Sequence, residues 1–144
     1  MLGMQGAKLT IGRLARAAVC MDLVFQHITR NPEGVALCFS QHGRVHLVSP
    51  EGEVLRGGYE LAGIASMLRR FHENAEMLNV RVSDIDWSGD AFCFSWTCQV
   101  RNWGSVPKLE ARGSCRGIFH GSLIRELDLV CCPKLYQNLA FSGA

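Results

Sequence analysis

The chain contains no Cys-x-x-Cys pair, no block of lysines and arginines, and no apolar run long enough to cross a membrane. Each absence closes a route. A spanning helix needs roughly 18 or more apolar residues, so no membrane partner is expected. Fifteen basic residues against thirteen acidic ones leave a net charge of +2. That balance, without a basic run, argues against nucleic acid. Residues 1–10 carry one lysine and lack the apolar core of a secretory leader. Repeats and low-complexity tracts are missing too.

Cysteine is plentiful, but not in a pattern that makes a framework. The seven cysteines stand at 20, 38, 93, 98, 115, 131 and 132. Their number is odd, and Cys131 and Cys132 would point to opposite faces of a strand. None forms a Cys/His cluster with zinc-ligand spacing. They read as reduced core residues, small hydrophobes in effect. This predicts a reducing, cytoplasmic compartment, with no metal and no cofactor.

What is present is an ordinary globular composition: 144 residues, 48% hydrophobic and 19% charged. That length fits one domain, with a core at about 10–132 and a tail at 133–144, and it can bury roughly 70% of its unfolded surface. Ile11, Leu14, Ala15, Ala18, Val19 and Phe25 recur at helical spacing, predicting a first helix over about 10–29. Asn31–Gly34 breaks it, and a short helical turn follows at 35–39. Gln41-His42-Gly43 reads as a second break before a strand at 44–49. Leu61, Ile64, Ala65, Leu68 and Phe71 predict a second helix over 59–73. Strands follow at about 80–85, 92–103, 108–119 and 123–132. Phe92, Phe94, Trp96, Cys98 and Val100 share one face of the long strand. Leu109, Ala111, Gly113, Cys115, Gly117 and Phe119 share one face of the next. Helices early and strands late indicate an α+β fold. Small residues on one strand face permit sharp curvature or leave room for a ligand.

This arrangement resembles the nuclear-transport-factor-2-like cone, with its SnoaL-like cyclases and ketosteroid isomerases. The resemblance is carried by several segments. They are the long first helix continuing into Val35–Phe39, the strand at Gly43–Pro50, and Gly57-Gly58-Tyr59-Glu60 leading into Ile64–Phe71. Val80–Asp90 before the long strands and Phe119–Glu126 at the closing hairpin complete it. It covers about residues 10–132. It implies a curved antiparallel sheet with the N-terminal helices packed into its concave face.

The resemblance also implies where chemistry would sit. Ketosteroid isomerases use a carboxylate base on the first strand, a tyrosine on the first helix and a protonated aspartate in the sheet. Counting along this chain puts Leu47, Leu23 and Cys115 at those positions, and none can do that chemistry. A shift of one residue replaces Leu47 with His46. Limonene-epoxide-hydrolase-like members use an Arg-x-Asp pair, and no arginine here has an aspartate two residues on. Asp128 resembles an acid/base aspartate of the SnoaL-like cyclases.

Three residues are therefore candidates for catalysis. Asp22 falls on the apolar side of the first helix, where desolvation would raise its pKa and suit a general base; alternatively it lies at the edge of the stripe, paired with an arginine. Asp128 and His46 each alternate with apolar neighbours, so register decides whether they point into the cone or away. Trp96 and Phe94 on the long strand, Tyr59 at the start of the second helix, and Leu23, Leu47 and Cys115 are candidate pocket residues. The outer strand faces, with Ser95, Thr97, Gln99, Ser114 and Arg116, are expected to form a homodimer interface. Two functions fit: a SnoaL-like domain binding a small hydrophobic molecule, with isomerase, cyclase or hydratase chemistry open, or a non-catalytic interaction module on the same scaffold.

Overall fold

In this computed structural model the described residues are 2–54, 60–102 and 109–135, with side chains described from Gly12 onward and not for Asn102. Helix α1 (Leu2–Asp22) starts well before residue 10. Met4, Gln5, Ala7 and Lys8 are strong helix formers that extend it without an apolar stripe to reveal them. The helix then widens into a π-helical segment, Leu23–Ile28. The Thr29 N–H donates to the Val24 carbonyl at 3.2 Å, five residues back, and the Thr29 hydroxyl donates to the same carbonyl at 2.9 Å. Such a turn brings an extra residue onto one face, which is why Leu23, Val24 and Ile28 are all buried.

A 3-10 turn, Pro32–Cys38, leads into strand β1 (Phe39–Val48). The break expected at residues 41–43 lies inside β1 as a bulge: its pairing shifts register between Phe39 and Arg44. Gly43 is needed there, because a methyl group on it would sit 2.7 Å from Phe39 Cβ. Helix α2 (Leu61–Asn74) buries Ile64, Met67, Leu68 and Phe71, the spacing that predicts it. Strand β2 (Ala75–Val82) follows at once, five residues before the alternation in the sequence begins. The remaining strands are β3 (Asp86–Ser88), β4 (Ala91–Asn102), β5 (Leu109–His120) and β6 (Leu123–Cys131).

The six strands form one curved, unclosed sheet in the order β1-β6-β5-β4-β2, with β3 paired to β4. Pairing is antiparallel throughout except between β1 and β6, which run parallel. The long meander is thus as expected, and β1 joins its far edge. The π-helical segment and α2 contribute their buried residues to the same core as the inner faces of β4, β5 and β6.

Arg16 ties α1 to the turns of two hairpins. Its Nε donates to the Gly121 carbonyl at 2.9 Å, and its Nη1 donates to Asp90 Oδ1 at 3.0 Å. Its guanidinium carbon lies 5.1 Å from the centre of the Phe119 ring, a cation–π distance. Phe119 packs in turn on Phe92 and Trp87. One arginine fork therefore fixes the helix against two hairpin turns and an aromatic cluster.

Curvature of the sheet depends on β5. A methyl group on Gly113 would lie 2.0 Å from the Val130 carbonyl oxygen and 2.4 Å from Trp96 Cζ2; one on Gly117 would lie 2.2 Å from the Glu126 carbonyl oxygen. Rings from β4 occupy the space a side chain would need. Gly113→Ala is therefore expected to destabilise the fold by at least about 2 kcal/mol, measured as a lowered urea midpoint. Gly12→Ala, on α1 with nothing within 4 Å, should instead stabilise by about 0.5–1 kcal/mol. Equal effects of the two substitutions would contradict the close packing at Gly113.

Candidate functional site

Between the π-helical segment, α2 and the concave face of the sheet lies a cavity of about 30 Å³. Val24, Ile28 and Thr29 form its roof, with Leu68 from α2 and Leu135 beyond β6. Met77 and Val80 of β2, Trp96 and Cys98 of β4, Cys115 of β5, and Leu129 and Cys131 of β6 form its floor and walls. No carboxylate, imidazole, ammonium or guanidinium group lines it among the described residues. The Thr29 hydroxyl already serves the Val24 carbonyl. A space of this size admits a water or two, but a stable water needs two to four polar partners, and the lining offers almost none.

Two polar features remain. The first is the indole of Trp96. The residue is 8% exposed, and its Nε1–H makes no hydrogen bond within the protein. The indole N–H is directed closely enough at the Cys115 thiol to favour its thiolate, and the cavity is lined by apolar surface alone. The second is the thiols themselves. Burial pushes Cys98 up from 9.0 to about 11, with Cys132 adding to the effect. Burial also drives Cys115 well above 9.0, reinforced by Cys131 and Cys20, and Cys131 rises likewise. These sulfurs stay protonated at neutral pH and are inert as nucleophiles.

The candidate catalytic residues lie elsewhere. Asp22, at the junction of α1 and the π-helical segment, is exposed. It sits close enough to Cys38 to add to that thiol's upward shift, to about 11, of which burial is the larger cause. His46 and Asp128 pair across β1 and β6 on the convex face, opposite the buried Val45, Leu47, Leu127 and Leu129. His46 Nδ1 lies 3.3 Å from Asp128 Oδ1, and Arg116 Nε donates to Asp128 Oδ2 at 3.3 Å. This is a partly exposed cross-strand charge cluster, of small energetic weight. The three candidates are thus not brought together, and none reaches the cavity.

Of the candidate pocket residues, Trp96 and Cys115 line the cavity. Leu23, Leu47 and Phe94 are buried in the surrounding core. Tyr59 lies outside the described residues. The sequence reading missed Met77, Val80, Leu129 and Leu135. Strand β2 begins before its alternation does, and nothing in the chain says which core residues leave a gap. Among the described residues, no group of three His, Cys, Asp or Glu side chains could hold a metal ion. None of the described helices is long and apolar enough to cross a membrane.

The cavity has a neighbour on the surface. A surface groove of about 360 Å³, lined by Phe25, Gln26, Thr29, Arg30, Met77, Leu78, Asn79 and Val80, shares Thr29, Met77 and Val80 with it. The sheet is irregular at this point. Leu78 pairs with Gln99 and Arg81 with Thr97, so Asn79 and Val80 together oppose Cys98. Asn79 takes a left-handed φ of 52°, as bulge residues do. Its side-chain amide donates to Gln99 Oε1 at 2.7 Å.

No protein-family model and no curated sequence matches this chain. Solved structures do resemble it. An NTF2-like protein from Burkholderia thailandensis superposes with a TM-score of 0.62 at 11% identity, covering 90% of this chain and 97% of that one. A Mesorhizobium loti protein described as a SnoaL-like polyketide cyclase gives 0.56 at 13% identity, covering 78% and 96%. A de novo designed protein with a curved β-sheet gives 0.60 at 15% identity, covering 90% and 97%. The chain has the α+β cone fold of the NTF2-like and SnoaL-like proteins, and at these identities the likeness concerns the fold.

The buried thiols make stability depend on alkaline pH. Cys20 rises from 9.0 to about 12, and Cys38 and Cys98 to about 11; Cys115 and Cys131 also rise. A thiol with a raised folded pKa holds its proton in the folded state after the unfolded chain has lost it. Its contribution is thus fully present below pH 9 and is lost above it, by about 1.4 kcal/mol per pH unit for each thiol up to its folded pKa. Urea unfolding under reductant should show a steep fall in stability from pH 9 to 10.5. A flat profile across that range would contradict the burial of these thiols.

Proposed function

We propose that this domain binds a small hydrophobic molecule in the cavity under the π-helical segment, and that it does so without acid/base catalysis by its own side chains. The observation that carries this reading is the lining. Every group facing the cavity is apolar, a neutral thiol, an occupied hydroxyl or the Trp96 indole. Asp22, His46 and Asp128, the residues that would have supplied isomerase, cyclase or hydratase chemistry, stand outside it. A ligand larger than the cavity displaces the side chains it shares with the neighbouring groove, where Met77 is unbranched and adaptable and the bulge at Asn79-Val80 interrupts regular pairing.

The small volume of the cavity favours a second reading, in which the cone is a filled scaffold and function lies on its surface. Toluene separates the two. On the binding reading, toluene at ten times its Kd raises Tm by about 3–5 °C and shifts the methyl resonances of Val24, Leu68 and Leu129. Cys98→Leu, which fills the cavity, removes both effects. Wild-type protein that ignores toluene favours the scaffold.

The convex face is the proposed homodimer surface. It presents Cys93, Ser95, Thr97 and Ser114 between Arg112 and Arg116 on one side of the charge balance and Glu110 and Asp128 on the other. A face bearing both signs can be self-complementary about a two-fold axis. Sedimentation equilibrium should give a dimer, and the double substitution Ser95→Arg with Ser114→Arg should give a folded monomer. An unchanged dimer would place the interface elsewhere. Free, mostly buried thiols suit a reducing, cytoplasmic setting.

A further inference from the structure

We propose that the convex face of the sheet carries an anion site, in which a phosphate group, free or as a monoester, is held between Arg81 and Arg112 above Thr97. Three strands bring these residues into one row. Arg81 of β2 stands opposite Thr97 of β4, and Thr97 stands opposite Arg112 of β5. Directly opposed residues share a sheet face, and all three are exposed. Neighbouring strands lie about 4.8 Å apart, so the two arginine backbones are about 10 Å apart. The side chain between them is short, which leaves both guanidinium forks in reach of one group above Thr97. In the next row of the same face Ser95 opposes Ser114.

The charge of this row is unpaired. Arg16, Arg69, Arg101 and Arg116 each bind a carboxylate. Arg81 and Arg112 make no ion pair or hydrogen bond among the described residues, and the hydroxyls of Ser95, Thr97 and Ser114 make none either. Glu110, two residues before Arg112 on the same face, does not pair with it. It ends a chain of amides instead: Asn79 donates to Gln99 Oε1 at 2.7 Å, and Gln99 donates to Glu110 Oε1 at 3.4 Å. Asp128 is held by His46 and Arg116. Asn79, Arg81, Thr97, Gln99 and Glu110 border a groove of about 330 Å³, ample for a phosphate monoester. Glu110 lies one row beyond Thr97, so an anion between the arginines sits on the Ser95 and Ser114 side, away from that carboxylate.

Two like charges in one row repel, and a dianion between them removes the repulsion. It also gains charge-assisted contacts from two planar forks, and the three hydroxyls add further donors. Donors on several sides match a tetrahedral oxyanion better than a planar carboxylate. All of them belong to one chain, so the site rests on neither the binding reading nor the homodimer reading.

Inorganic phosphate and phenyl phosphate are titrated into the protein at constant ionic strength held with sodium chloride, which equalises general screening. The readout is the backbone amide signals of Ser95, Thr97 and Ser114. The double substitution Arg81→Gln with Arg112→Gln is expected to weaken phosphate binding at least about tenfold. Arg13→Gln with Arg30→Gln removes the same charge from exposed positions on the helical side and should leave the Kd unchanged. Equal weakening by the two double variants would mean a diffuse field and overturns the site. So does a wild-type protein that binds neither phosphate in preference to chloride, whether or not a second copy covers the face. Phenyl phosphate binding more tightly than inorganic phosphate identifies a monoester as the ligand, and the reverse order identifies the free anion. The four arginines are exposed, so the variants keep the fold.

Discussion

The close approach of the β4 rings to the glycines of β5 is the constraint on which the rest of this molecule depends. Trp96 lies over Gly113 and Phe92 over Gly117. With no Cβ in the way, each ring sinks onto the neighbouring backbone and the sheet bends around it. That bend gives α1, the π-helical segment and α2 a concave surface to fill.

The distribution of polar groups follows from the same geometry. On each long strand the inner position is apolar or small and the outer one mostly polar, so alternation sends Arg116, Asp128 and His46 to the convex face together. There they form a hydrogen-bonded cluster in contact with water. The interior retains neutral thiols where the resemblance to ketosteroid isomerases would put an acid. Thiols whose pKa burial has raised are neither acids nor nucleophiles at neutral pH. The interior of the cone is a solvent-excluding apolar surface. That a designed protein shares this shape makes the point from the other direction: the cone is a solution to packing, and chemistry must be placed in it residue by residue.

Much of the architecture was legible in the sequence because it rests on periodicity. The second helix follows from Ile64, Leu68 and Phe71. The two long strands follow from their separated faces, and the α+β class from the order of the elements. The misses have physical reasons. Helix α1 extends toward the N-terminus on helix propensity alone, without an apolar stripe. Gln41-His42-Gly43 looks like a break because a bulge uses the same residues as a turn. The first residues of β2 do not alternate, because edge-strand residues that meet a helix on one side and the open cavity wall on the other obey no simple pattern.

The sequence by itself determined which residues go inside, because hydrophobic burial follows from composition and spacing. It also determined that the expected acid/base positions hold Leu23, Leu47 and Cys115. Only the tertiary structure decided that Asp22, His46 and Asp128 stay out of the cavity, since a strand's register and a helix's rotation are set by the packing of distant segments. It alone also decided that Trp96 and Cys98, of the five apolar-face residues on their strand, line the cavity. A gap in the core depends on side chains brought together from the whole chain, and no local pattern encodes it.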